Sequence, residues 1–168
     1  QATPEKQKEF FDAVKVGWVG LDALYGNELT GLCRPEELLR LVGFAQKLSQ
    51  RTGVPIESAM ITDVPGYTWG IVPAFAHSGV KYFSMGPNGG DRIGHTIAAR
   101  GDKPFWWMGP NGKDKVLVWM TGTGYYQVFQ SQRRLVDYLT RLEQSEYPYD
   151  MVQVRHCLGD NGAPDTKF

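Results

Sequence analysis

Apolar residues along the chain fall into two rhythms, one at helical spacing and one of short unbroken runs. Phe10, Phe11 and Val14 recur at helical intervals behind Thr3-Pro4-Glu5. A capping threonine, a proline at the first helical position and an acid in the first turn predict that the chain opens on a helix. Val14 to Gly20 (VKVGWVG) reads as a buried strand, followed by the loop LDALYGNELTG. A second helix starts at Pro35 and stops at Gly53. Glu36 and Glu37 suit its positive end, Lys47 and Arg51 its negative end, and Leu38, Leu41, Ala45 and Leu48 form its apolar stripe.

Ser58 to Asp63 (SAMITD) is a short apolar run ending in a carboxylate. The turn Val64-Pro65-Gly66 and a helical stretch from Trp69 to His77 follow, closed by Gly79. Val80 to Ser84 predicts another strand, and the long Gly-rich polar loop behind it is of the kind that carries function. Phe105 to Met108, the turn Gly109-Pro110-Asn111-Gly112 and Val116 to Met120 predict a hairpin. Ser131 to Ser145 predicts the last helix, with Leu135, Tyr138, Leu139 and Leu142 facing inward. Met151 to Val154 reads as a final strand before the loop LGDNGAPD.

Strand alternating with helix predicts an α/β fold built on a parallel sheet. The four parallel strands so read are led by a helix whose own strand is missing, and a closed β/α barrel takes roughly 200–250 residues. The expected architecture is one domain over residues 1–168, a partial (β/α) barrel entered after its first strand and left before its last. An open parallel sheet is the alternative. A partial barrel would leave the outer strands unpaired, so self-association through exposed sheet edges is expected.

Composition narrows the partners. Eighteen basic residues balance eighteen acidic ones, which gives a nucleic-acid partner no electrostatic footprint. No apolar run approaches the ~18 residues of a membrane span. Cys33 and Cys157 make neither a disulfide framework nor a Cys-x-x-Cys site, so they leave the redox compartment open. The opening QATPEKQKEF lacks the order of a signal peptide, and the absence of an initiator Met leads us to expect that an upstream segment was removed.

In a parallel sheet the reactive face lies at the carboxyl ends of the strands. Asp63 ends one strand, Asn88 lies in the loop after the next, and Asp160-Asn161 follow the last. Two carboxylates on one rim suit glycoside chemistry, in which one group acts ionised and the other as an acid. Equally, an Asp before Pro-Gly is ordinary turn chemistry, and Asp63 could simply cap the turn and helix behind it.

The stretch AMITDVPGYTWGIVPAFAHSGVKYFSMGPN, Ala59 to Asn88, resembles the nucleophile region of glycoside hydrolase family 38, the α-mannosidase-like enzymes. In that family an Asp-Pro-Phe-Gly-His-Ser type motif ends a strand; here Asp63-Val64-Pro65-Gly66-Tyr67-Thr68 stands in its place. The likeness is to bacterial members with the Asp-Val-Pro-Gly form, and it extends through PFWWMGPNGKDKVLVWMTGTGYY. It implies a barrel of the glycoside hydrolase/deacetylase type in which Asp63 is the nucleophile and also a zinc ligand. The family's remaining zinc ligands, a His-x-Asp pair and a distant His, have no counterpart here, since His77, His95 and His156 fall outside those motifs. Gly159 to Pro164 resembles the family's acid/base segment. One alignment makes Asp160 the acid/base, and the other puts Asn161 there, an amide that cannot cycle a proton at neutral pH.

Trp69, Trp106, Trp107, Tyr125 and Tyr126 offer flat faces for a sugar ring, or core packing. Neighbours in a strand point to opposite faces, so Trp106 and Trp107 cannot both line one cleft. Asp91 to His95 offers polar groups for a substrate or a solvated loop, and His156 with Cys157 lacks further metal partners. Thr121-Gly122-Thr123-Gly124 lacks the third glycine of a dinucleotide site. The leading expectation is part of a retaining α-mannosidase-like hydrolase of secreted or periplasmic type acting on a carbohydrate. Asp63 and Asp160 are catalytic, Trp69, Asn88 and Asn161 touch substrate, and Asp63 contributes to zinc. A non-catalytic carbohydrate-binding relative or a truncated inactive fragment is the alternative, and a deacetylase-type barrel would need several His ligands that are absent.

Overall fold

The computed structural model describes residues 2–88, 92–122, 124–125 and 132–155. The chain opens on helix α1 (Pro4–Lys15), where the Thr3 hydroxyl accepts from the Lys6 N–H at 3.4 Å. After a single turn of 3₁₀ helix at Thr30–Leu32 comes α2 (Pro35–Thr52). The Glu37 carboxylate accepts the backbone N–H of Arg34 at 2.7 Å and so satisfies a donor at the start of α2; Gly53, at φ 72°, closes the helix. Strand β1 (Ser58–Val64), helix α3 (Ile71–His77) and strand β2 (Tyr82–Pro87) follow as one βαβ unit. A short helix α4 (Thr96–Arg100), the hairpin β3 (Pro104–Met108) and β4 (Lys115–Met120), and helix α5 (Gln132–Gln144) complete the elements.

The four strands form one sheet in the order β1-β2-β4-β3. β1 pairs parallel with β2 and β2 with β4, while β3 runs antiparallel to β4. Among the described residues this is an open sheet, the alternative architecture expected from the sequence. Ala59, Ile61, Phe83, Met85, Val116 and Val118 point to one face, where α2 and α3 bury them with Val42, Ile71, Val72 and Phe75. Phe75 and Phe83 meet edge to face at 5.0 Å, and Trp107 stacks on Phe83. No helix of the described residues is long and apolar enough to cross a membrane.

Two predicted strands are absent. Val14–Gly20 is not a strand, because α1 carries on through Lys15 and buries Val14 as a helical residue. Gly17, at φ 80°, then turns the chain, with the Trp18 N–H donating to the Ala13 carbonyl at 2.9 Å. Only glycine adopts this left-handed turn at no steric cost, so the apolar run is cut in its middle and Trp18 is left 86% exposed. Met151–Val154 forms no strand; it lies on the sheet face opposite α2 and α3, where the Gln153 amide donates to Ser84 Oγ at 2.9 Å. The parallel set is therefore β1, β2 and β4, and the sheet's outer strands are β1 and β3.

The outer edge of β1 is not bare. The Ala23 N–H donates to the Ser58 carbonyl at 2.9 Å, the Met60 N–H to the Asp22 carboxylate, and the Asn27 side-chain amide pairs with Thr62. Residues 22–27 thus satisfy β1 much as a neighbouring strand would.

Candidate functional site

The carboxyl ends of β1 and β2 bring Asp63 and Asn88 together. Along β1 the register with β2 holds from Ser58↔Tyr82 to Thr62↔Gly86 and then skips, so that Val64 pairs with Pro87 and Asp63 has no partner. Asp63 is the extra residue of a bulge, and it sits at φ 58°, a left-handed conformation that costs a non-glycine residue roughly 1 kcal/mol. Asp and Asn tolerate that region better than other side chains. The bulge turns the Asp63 side chain outward at the end of an otherwise regular strand, where it is exposed.

One oxygen of that carboxylate, Oδ1, accepts a hydrogen bond from the Asn88 side-chain amide. Asn88 is itself anchored, its backbone N–H donating to the Val64 carbonyl at 3.0 Å. The two residues singled out at these strand ends are therefore in direct contact, and the Asp63 residue as a whole is exposed. The residue before Asp63 is held by three hydrogen bonds from two side chains. The Asn27 amide donates to the Thr62 carbonyl at 2.5 Å and accepts the Thr62 N–H at 2.8 Å, and the Arg155 guanidinium donates to Thr62 Oγ1 at 2.9 Å.

Arg155 also donates to Ser84 Oγ at 2.5 Å, so it spans β1 and β2 just below the rim. Its guanidinium lies against Gly86, where any side chain would collide with it and with Thr62. Nearby, the Tyr67 hydroxyl is pushed well above the usual phenol range by burial. Nothing at the sequence level marks Asn27 or Arg155, because each acts across a long stretch of chain.

Trp69 is placed elsewhere. Its indole N–H donates to the Met108 carbonyl at 2.5 Å, at the turn end of the hairpin, and this is the end of the sheet opposite Met120 and the Asp63 rim. Trp106 and Trp107 do point to opposite faces, Trp107 into the core and Trp106 to a 55% exposed position beneath the Lys115 ammonium. His77 lies at the carboxyl end of α3, 3.2 Å from Asp114. Asp160, Asn161, His156 and Cys157 lie outside the described residues, as do Asp91 and Tyr126.

Among the described residues no three His, Cys, Asp or Glu side chains come together as a metal site. The side chain bonded to the Asp63 carboxylate is an amide, and no cluster of metal-type donors forms around it among the described residues. These residues do not by themselves make the tetrahedral site that zinc requires.

No protein-family model matches the chain, and no curated protein does. Solved structures do share its fold. An α-mannosidase from Enterococcus faecalis V583 superposes with a TM-score of 0.59 at 18% identity, over 87% of this chain and 16% of that one. A protein in the glycosyl hydrolase family 38 from Enterococcus faecalis gives 0.56 at 15% identity, over 88% and 15%. A 4-alpha-glucanotransferase from Thermococcus litoralis gives 0.53 at 13%, over 89% and 22%. At such identities the likeness is one of fold, and the chain spans about one sixth of the length of the two Enterococcus structures.

Proposed function

We propose that this chain belongs to the catalytic part of a longer retaining glycosidase of the α-mannosidase type, with Asp63 as its nucleophile. The observation that carries the reading is the bulged, left-handed Asp63 at the carboxyl end of a parallel strand, its carboxylate exposed and held by Asn88 from the next strand. Backbone strain with no structural benefit at its own position is what a site-bearing residue shows. The fold shared with a family 38 protein and an α-mannosidase supports the choice of reaction.

In this reading the Asn88 amide fixes Oδ1, and Oδ2 attacks the anomeric carbon as the glycosidic bond breaks. Asp160 protonates the departing oxygen and then takes a proton from the water that opens the glycosyl-enzyme. Asn88 and Asn161 contact the sugar. In the longer protein Asp63 would be one donor to zinc, with the other ligands supplied from outside this chain.

Two substrates of unequal leaving-group quality test the roles in that longer protein. Asp63→Asn is expected to lose both natural and aryl glycosides, since the nucleophile is needed whatever departs. Asp160→Asn is expected to spare the aryl glycoside in the first step and to be rescued by azide in the second. Equal loss on both substrates without rescue removes Asp160 from the role. Sugar binding by the unmodified protein with no cleavage of either substrate would favour a non-catalytic carbohydrate-binding relative instead.

A further inference from the structure

We infer that Asn27 is a positioning residue for Asp63, acting through the backbone of Thr62; its functional consequence rests on the nucleophile reading above. Asn27 lies in the strap 22–27 that runs along the outer edge of β1. Its single side chain makes both hydrogen bonds that an adjacent strand would make to Thr62, donating to the carbonyl at 2.5 Å and accepting the N–H at 2.8 Å. A backbone strand there would continue the ladder past Thr62 and pull Asp63 into register. An amide side chain stops at one residue, which leaves Asp63 free to bulge.

The rest of the strap serves the same end. Asp22 accepts the Leu24 N–H at 2.8 Å as well as the Met60 N–H, and the Ala23 N–H reaches Ser58. The β1 edge is thus held at Ser58, Met60 and Thr62, every second residue, and the clamp ends one position before the bulge. On the inner side the Arg155 guanidinium holds the Thr62 hydroxyl. With Thr62 fixed on backbone and side chain, and Val64 locked by its pairing with Pro87, Asp63 is the one position between them that can absorb the skipped register. The left-handed φ of Asp63 is paid for by these two anchors.

Asp102 supplies an internal control. It has the same φ of 58° but sits in the turn before β3, without contact to Asn27. The experiment is NMR on the 168-residue chain with Asn27→Ala, reading the backbone couplings that report φ at Asp63 and Asp102. The expected result is loss of the positive-φ signature at Asp63 with Asp102 unchanged. Retention of the signature at Asp63 overturns the inference. A measurement on the unmodified chain guards against a variant that fails to fold: the Thr62 amide should exchange with solvent at least tenfold more slowly than an unprotected amide, and unprotected exchange also overturns it. In the longer protein, Asn27→Ala should lower kcat at least tenfold with KM within about threefold, since substrate contacts remain while the nucleophile loses its aim. A kcat within twofold of the unmodified enzyme contradicts the functional consequence. If no glycoside is cleaved by the unmodified protein, the nucleophile reading falls, and the NMR result still decides whether Asn27 positions Asp63.

Discussion

Asp63 and Asp102 share a residue type, a strand-end location and a φ of 58°, yet their surroundings differ in kind. Asp102 is half-buried and tied in through backbone and side chain: its carboxylate Oδ1 accepts the Gly122 N–H at 3.0 Å, its own N–H donates to Met120 at 2.7 Å, and its carbonyl accepts from the Tyr147 hydroxyl at 2.6 Å. That hydroxyl is buried enough to be pushed up to about 12. At Asp102 the local strain is returned as hydrogen bonds that tie three segments together. At Asp63 the flanking residues hold the strain in place, and the exposed carboxylate itself bonds one amide among the described residues. On the proposed reading the contrast separates strain that serves folding from strain that serves a site, and neither could be told from the other by residue type or φ alone.

The largest effect should come from removing each carboxylate in the longer protein. Asp63→Asn keeps a side chain that tolerates positive φ and should leave the melting temperature nearly unchanged while glycoside cleavage falls by at least about a thousandfold. Asp102→Asn should leave kcat/KM within a few-fold. Steady-state kinetics on both variants checks this, and comparable losses would erase the distinction between the two aspartates.

Gly122→Ala comes next. A Cβ there would run into the Asp102 carboxylate, so about 1–3 kcal/mol of stability should be lost, measured by denaturant unfolding of the 168-residue chain. Gly66→Ala, close to Asp63 in sequence but with open space around it, should cost little.

Relief of strain gives a smaller difference of opposite sign. Asp63→Gly should leave stability unchanged or raise it by up to about 1 kcal/mol, since only the Asn88 bond is lost. Asp102→Gly should lower it by about 1 kcal/mol, because the Gly122 N–H loses its acceptor. Equal shifts in the two variants would mean that the hydrogen bonds at Asp102 contribute nothing net.

The smallest effect concerns the strap. Burial raises the Asp22 pKa above its ordinary value, so the ionised form is disfavoured in the folded chain. Its contribution to stability is therefore greatest at acid pH and is lost as pH rises through the raised value. Asp22→Asn keeps an acceptor for Leu24 and Met60 without a charge to desolvate. At pH 7 it should be at least as stable as the unmodified chain, and any advantage should vanish below the ordinary aspartate range, about pH 4. Unfolding curves across that range check the sign.

Much of the parallel framework was legible because it rests on local patterns. Pro35 and Gly53 bracket α2, the apolar run SAMITD falls within β1, and the PNG turn joins β3 to β4. The VKVGWVG run misled because hydrophobicity alone does not report that Gly17 ends a helix already under way. Trp69 is close to Asp63 in sequence, but it precedes α3 and its indole N–H bonds the Met108 carbonyl of the hairpin. Asn88 could be placed from its strand end, whereas Asn27 and Arg155 could not. Their partners lie 35 and 93 residues away, and no periodicity encodes contacts of that separation.

The central claim is that Asp63 forms the covalent bond to sugar. Incubating the longer protein with a fluorinated mannosyl fluoride, whose glycosyl-enzyme hydrolyses slowly, and mapping the modified peptide by mass spectrometry tests it directly. The account predicts a single adduct on the peptide containing Asp63, absent in Asp63→Asn. Labelling of a different carboxylate, with Asp63 unmodified, would contradict it.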